Sequence, residues 1–358
     1  MFPPFAALGR ARRQLAALGG VLLLVSAGIL GVLVVSSASA GPSVFPGRSG
    51  RIQMVRCKIV GESRVCDRYA VINPDGSGFR FVGARRGGLS QLSLRWAHDG
   101  KRLLVGKNDL SNFFAKNEMY LATPEGRRIK TIVGGKQARR AGIGVATPDW
   151  LPGGKRVAFV GDTLRKASIY TIGVDGKGIR TVRVFPRDEE LVTLRRLVTS
   201  PDGRRIAFVR VHNHDSYVIY VVNANGTGLR RLAEVCDLVS LDWFPAGNLL
   251  LGSWREPGGG QYPCGTPDVY HNPGIYKLSL GGGSAKPIHE ETYEGAFPAA
   301  ISPDGKRIVV AVHRAKDNGG LFDTIMVMRA DGTGVRTIRQ IERPQGFAGL
   351  TWQPLPRH

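Results

Sequence analysis

The residues best suited to chemistry are histidines that cluster in one short segment. His212, His214 and Asp215 form an H-x-H-D group, and His271 and His313 follow at longer intervals. Imidazole nitrogens and a carboxylate are accepted ligands of transition metals. However, histidines at positions i and i+2 of an extended segment point partly apart. His212 and His214 are therefore candidate ligands only, and the sequence predicts neither a bound metal nor another cofactor.

Catalysis without a metal also finds little support in the sequence. Acidic residues gather at 188–190 and at 290–294, but a glycosidase needs two carboxylates across one cleft, which spacing cannot show. No G-x-S-x-G motif of a serine hydrolase occurs. The sequence favours a non-catalytic protein. A carbohydrate-binding protein, or a metal-dependent carbohydrate-active enzyme such as a polysaccharide lyase or glycosidase, remains the alternative.

Turns centred on glycine recur along the chain and organise it. Gly76, Gly126, Gly176 and Gly226 are fifty residues apart, and Gly332 follows after a longer interval. Each unit has an apolar run ending in a Pro/Asp/Gly turn, a β-rich run, a third strand, a D-G or N-G turn and a short fourth strand. These are strand and hairpin signals. Four antiparallel strands repeated at this period predict an all-β fold, the β-propeller.

The repeats resemble the WD-like repeats of TolB-type β-propellers. The resemblance is carried by SPDG at 200–203 with Asn225-Gly226, and by SPDG at 302–305 with Asp331-Gly332. It covers most of residues 51–358. It implies a non-catalytic module that binds a protein partner in or near the axial channel, often an extended segment of another envelope protein. A further hypothesis is that the propeller is an extracytoplasmic sensor domain.

The two ends of the repeat region together predict the number of blades. Residues 51–82 supply three strands without an inner strand, and residues 346–353 supply an inner strand containing Trp352. Joined, they form one composite blade, which leaves no free sheet edge. With five internal repeats this predicts six blades, and seven is the main alternative.

The first forty residues differ from the rest of the chain. Three arginines precede an uncharged apolar run at 15–35, which is followed by an A-x-A-like site at 38–40. Residues 1–40 are therefore predicted to be a cleaved signal peptide or a retained signal-anchor helix. Residues 41–50 form a linker, and 51–358 form the propeller. Either reading places the propeller outside the cytoplasm, secreted or anchored in the membrane.

The formal net charge of +22 bears on the partners. Basic pairs such as Lys101-Arg102 and Lys306-Arg307 follow the turns and predict a basic turn face. Such a face suits anionic lipid or an acidic envelope polymer, whereas an exported chain seldom meets nucleic acid. The alternative is that these basic residues only keep the strand ends solvated.

Four cysteines in an oxidising compartment predict two disulfides, Cys57–Cys66 and Cys236–Cys264. The second would staple the long insertion at 253–274, which is rich in aromatic residues. An aromatic platform can stack on a sugar or anchor a protein. The candidate binding residues on this side of the propeller are Trp254, Arg255, Tyr262, Tyr270, Phe113 and Phe114.

Overall fold

The computed structural model describes residues 48–60, 63–83, 91–108, 117–136, 144–162, 166–186, 193–212, 216–255, 273–290, 298–315, 321–342 and 345–356. None of the helical segments within these ranges is long and apolar enough to cross a membrane. The leader predicted at 1–40 lies outside the described residues, and so does most of the predicted linker.

The described residues form antiparallel β-sheets arranged as six blades of four strands, as the repeat predicts. Blade 1 contains β1 (Arg48–Val60), β2 (Ser63–Ile72), β3 (Arg80–Val82) and β23 (Gln345–Leu355). Blade 2 contains β4 (Gln91–Trp96), β5 (Leu103–Asn108), β6 (Glu118–Ala122) and β7 (Arg128–Val133). Blade 3 contains β8 (Gly144–Trp150), β9 (Arg156–Asp162), β10 (Lys166–Gly173) and β11 (Arg180–Pro186).

Blades 4 and 5 share one long strand, β15 (Arg230–Trp243), whose first part pairs with β14 and whose second part pairs with β16. The other strands of blade 4 are β12 (Thr193–Thr199), β13 (Arg205–His212) and β14 (Ser216–Asn223). Those of blade 5 are β16 (Leu249–Arg255), β17 (Gly274–Ser279) and β18 (Lys286–Glu290). Blade 6 contains β19 (Ala299–Ile301), β20 (Arg307–Ala315), β21 (Leu321–Arg329) and β22 (Arg336–Glu342).

The composite blade closes the ring as predicted. β23 pairs with β1, with Trp352 opposite Ile52 and Leu355 opposite Arg48. The buried Asp323 of blade 6 accepts a hydrogen bond from the Phe347 N–H of β23 at 3.0 Å, which ties the neighbouring blade to this strand. The ring has six blades, so the alternative of seven is wrong.

Six hydrophobic clusters fill the junctions between neighbouring blades. The junction of blades 1 and 2 contains Tyr69, Trp96 and Tyr120, for example, and that of blades 4 and 5 contains Trp243 and Trp254. Both faces of the central strands are therefore buried, which explains their continuous apolar runs. All the described sheets and clusters lie within residues 48–356, and residues 41–358 form one compact unit.

The direction of the strands separates two faces of the ring. Turns between first and second strands, such as 97–102, and between third and fourth strands, such as 123–127, lie on one side, the turn face. Connections between second and third strands, such as the one from Arg255 to Gly274, lie on the other side with the links between blades. We call this side the loop face.

Candidate functional site

The innermost strands bring a cluster of charged residues together at the axis. Arg95, Asp149 and Asp242 each stand directly before a tryptophan of an inner strand, on β4, β8 and β15. They line a cavity of about 80 Å³ on the axis together with Thr199 and Thr351. His98, Pro201, Pro303 and Pro354 also line it, from the ends of the inner strands at the turn face.

The same level of the ring is held by hydrogen bonds between successive blades. The Trp150 indole N–H donates to the Arg95 carbonyl oxygen at 3.1 Å, and the Trp243 N–H donates to the Val198 carbonyl oxygen at the same distance. The Trp352 N–H makes the equivalent bond to Ala300. Each of these indole groups is held by a carbonyl oxygen of the preceding blade, so the tryptophans surround the axis and link neighbouring blades.

Arg95 links opposite sides of the ring. Its Nη2 donates to the Leu241 carbonyl oxygen at 3.3 Å, and its Nε lies 3.7 Å from Asp149 Oδ1. Leu241 belongs to blade 5, which lies opposite blade 2 in a ring of six. The guanidinium therefore reaches across the axis at this level.

The carboxylates beside Arg95 are also engaged by backbone groups. Asp149 Oδ2 accepts the Thr199 N–H at 2.7 Å. Asp242 is half-buried, and its carboxyl group lies near Arg95 and Asp149 in the cavity. Burial raises the pKa of Asp242 to about 6, and the nearby Asp149 adds to this, whereas Arg95 and the N–H groups of Trp243 and Ile301 oppose it.

His98 completes the ionisable groups around the axis. Burial lowers the pKa of His98, and the carboxylates of Asp149 and Asp99 only partly oppose this effect. The imidazole is therefore neutral at physiological pH. Among the described residues, no three or more histidine, cysteine, aspartate or glutamate side chains group as a metal site would require. The contacts that Arg95 and Asp149 make with neighbouring and opposite blades suit the axial cluster to bracing the ring.

Sequence reasoning overlooked this cluster, because the three charged residues belong to repeats far apart in the chain. The pattern that could have revealed it is present in RWAHDG, DWLPGG and DWFPAG, where a charged residue directly precedes the inner-strand tryptophan. Aligning the repeats on the tryptophan places Arg95, Asp149 and Asp242 at one level of the ring.

Trp254 does not serve as the exposed platform that the sequence predicted. Its side chain is fully buried and stacks on Tyr276, with 5.0 Å between ring centroids and 9° between planes. In the strand register Trp254 is opposite Gly274 and Tyr276 is opposite Gly252. The Trp254 ring lies over Gly252 and the Tyr276 ring lies over Gly274, so a Cβ atom at Gly252 would clash with the Trp254 ring.

The structure says less about the other predicted binding and metal residues. Arg255 ends β16 and His212 ends β13, but the side chains of both lie outside the described part of the structure. Four aromatic candidates and one histidine lie outside the described residues: Tyr262, Tyr270, Phe113, Phe114 and His214. Their roles remain predictions.

The predicted cysteine pairing is confirmed at its first site. Cys57 and Cys66 are directly opposite each other on β1 and β2 and form a disulfide. Cys236 is buried and is also disulfide-bonded. Cys264, its predicted partner, lies outside the described residues.

Comparison with known proteins supports the architecture. No family model matches the sequence, and no curated protein matches it. TolB from Acinetobacter baumannii has a similar structure, with a TM-score of 0.59, 17% identity, and coverage of 85% of this chain and 67% of that one. The structure described as TolB from Agrobacterium tumefaciens has a TM-score of 0.55, 15% identity, and coverage of 85% and 99%.

A chain of the nidogen/laminin complex is similar to the same extent. Its TM-score is 0.58 at 14% identity, with coverage of 86% of this chain and 100% of that one. At these identities the likeness establishes the fold alone. The protein is thus a six-bladed β-propeller of the architecture seen in TolB.

Proposed function

We propose that this protein is an extracytoplasmic, non-catalytic scaffold that recognises a protein partner through its loop face. The observation that carries the proposal is the position of Arg95, which spans the axis from blade 2 to blade 5. An extended partner segment could not pass this level without displacing a guanidinium that is already paired. Recognition on a face of the ring is therefore favoured over threading through it.

The two faces differ in the length of their connections, and this difference supports the loop face as the binding surface. The turn face is built from tight turns, whereas the loop face receives the longer connections, including 256–272 between β16 and β17. Binding residues commonly lie on such connections when a rigid frame holds their ends. The similar chain from the nidogen/laminin complex comes from a protein–protein complex, which supports a role of this fold in binding a protein partner.

Two further observations support the non-catalytic role and the location. The charged side chains at the axis are engaged in bonds between blades, which leaves them poorly placed to act on a substrate. The Cys57–Cys66 disulfide is suited to an oxidising compartment.

Partner capture by loop-face variants tests this proposal. Residues 41–358 would be immobilised and exposed to solubilised envelope proteins, with Tyr262→Ala/Tyr270→Ala as the loop-face variant and Arg95→Met as the axial variant. We expect the loop-face variant to lose a partner that the wild type retains, because aromatic anchors dominate interface energies. A thermal melt would confirm that each variant is folded.

Either of two results would contradict the proposal. The loop-face variant could retain every partner, or a partner could be lost only on Arg95→Met, which would place recognition at the axis. Ile129→Ala on the turn face is the matched control, since it removes an exposed apolar side chain from the opposite side.

A further inference from the structure

The outermost strand of every blade carries a basic residue at the same repeat position, near the turn face. In the six blades this residue is Arg80, Lys130, Arg180, Arg230, Lys286 or Arg336, and all are exposed. Because the ring repeats six times, these side chains encircle the rim of the turn face. The rim is therefore a closed belt of positive charge.

A second set of basic residues lies closer to the axis on the same face. Second strands begin at or next to Arg48, Arg102, Arg156, Arg205 and Arg307, and in four blades an exposed basic residue precedes them: Lys101, Lys155, Arg204 and Lys306. The turns also carry seven acidic residues, which offset part of this charge but are fewer than the basic residues named above: Asp75, Asp99, Glu125, Asp175, Asp202, Asp304 and Asp331. The turn face thus carries excess positive charge.

Apolar side chains accompany the basic belt. Among the described residues the exposed large hydrophobic side chains are Ile129 and Ile179, each 52% exposed, and Val184 and Val335, each 43% exposed. Ile129, Ile179 and Val335 directly precede Lys130, Arg180 and Arg336 of the belt. Three of these four exposed side chains therefore occupy one repeat position, beside a positive charge.

We propose that the turn face docks on a lipid bilayer that contains anionic lipid. Each basic residue near such a surface gains attraction to the headgroups, and apolar side chains next to basic ones can enter the headgroup boundary. A hydrated polyanion would use the charges but not the isoleucines and valine, so the apolar positions favour the bilayer. This inference is independent of the proposed function, and docking would leave the loop face directed away from the membrane.

Cosedimentation with vesicles tests the inference, using residues 41–358 so that the apolar leader makes no contribution. The vesicles would contain phosphatidylcholine alone, or equal parts of phosphatidylcholine and phosphatidylglycerol. We expect binding only to the second kind, and release at high salt because exposed charges are screened. Lys130→Gln/Arg180→Gln/Arg336→Gln should weaken this binding by about tenfold or more.

Matched variants separate docking on this face from the effect of net charge. Lys136→Gln/Lys166→Gln/Arg195→Gln removes three charges from the loop-face side and should bind nearly as wild type. Ile129→Ser/Ile179→Ser/Val335→Ser should weaken binding several-fold, whereas Val184→Ser, further along β11, should not.

The inference would be overturned by equal loss of binding in the two charge variants, or by no binding to anionic vesicles. Binding of soluble polyglutamate as strong as vesicle binding, unaffected by the three serine substitutions, would show that the face captures a polymer.

Discussion

At the scale of single residues, the environment of a side chain matters more than its type. A tryptophan in a glycine-rich insertion predicts an exposed anchor, yet Trp254 is a core residue that lies over Gly252 and stacks on Tyr276, which lies over Gly274. The sequence contains both glycines, but the stacking of Trp254 on Tyr276 depends on the register of β16 and β17. Substitution of Trp254 would consequently test packing and not recognition.

The axial carboxylate of Asp242 yields a prediction about pH. Its pKa is raised from 3.8 to about 6 in the folded protein, so the folded state holds the proton more tightly than the unfolded state. The contribution of this group to stability therefore falls as pH rises from 3.8 to about 6 and stays low above that range. Asp242→Asn, which cannot ionise, should gain about 1–2 kcal/mol in unfolding free energy at neutral pH.

Urea unfolding of the wild type and Asp242→Asn across this pH range would measure the effect. The gain should disappear below the unfolded pKa. Asp149→Asn provides the contrast, because it removes the ion pair with Arg95 and should lower stability. A constant difference between Asp242→Asn and the wild type at every pH would refute the assignment.

At the scale of elements, the SPDG turns show how side-chain hydrogen bonds hold the turn between the first and second strands of a blade. Ser302 Oγ donates to Asp304 Oδ1 at 2.6 Å and accepts the Arg307 N–H at 2.9 Å. Burial alone would raise the pKa of Asp304, but hydrogen bonds from Ser302 and the Lys306 N–H outweigh it and hold the pKa below the ordinary value. The serine thus fixes the geometry between the first and second strands.

Removing this buried hydroxyl should cost measurable stability. Ser302→Ala leaves the Arg307 N–H without a partner and removes one hydrogen bond from the Asp304 carboxylate, so we expect a loss of about 1–2 kcal/mol in the free energy of unfolding. Ser77→Ala, in an exposed turn between third and fourth strands, is the matched control and should lose less than about 0.5 kcal/mol. Equal losses in the two variants, measured by urea denaturation, would refute this account.

The sequence predicted the strands and turns better than it predicted the axial cluster. Strand runs, D-G turns, the composite blade and the Cys57–Cys66 pairing depend on residues close in sequence or on simple repetition. The axial cluster depends on contacts such as that between Arg95 and Leu241, which form only when the ring closes. Local pattern carries no information about which residues then face each other across the axis.

At the scale of the whole molecule, the ring has no intrinsic first or last blade. Arg48 and Leu355 are paired neighbours at the turn face, where the other blades have a covalent turn. A circular permutant that joins these residues through a short glycine-containing turn, with new ends between Gly153 and Gly154, should therefore fold. A Cβ atom at Gly153 would meet nothing within 4 Å, so new ends there disturb little.

The permutant should melt within a few degrees of the wild type and with similar cooperativity, because every contact between blades is retained. Truncation after residue 344, which removes β23, should abolish the cooperative melt, since the junction of blades 1 and 6 loses Phe347 and Trp352. Thermal unfolding followed by circular dichroism would test both. A truncated protein that melts as the wild type does would show that ring closure is dispensable.

The pairing of β23 with β1 also determines when blade 1 can be completed during synthesis of the chain. Strands β1 to β3 leave the ribosome before any other part of the ring, yet their inner neighbour is the last strand to be made. Until then β1 presents an unpaired edge and an uncovered apolar face, the kind of surface that attracts other chains. The first blade to be synthesised is therefore the last to be completed, and its edge lacks the native partner strand for almost the whole of synthesis.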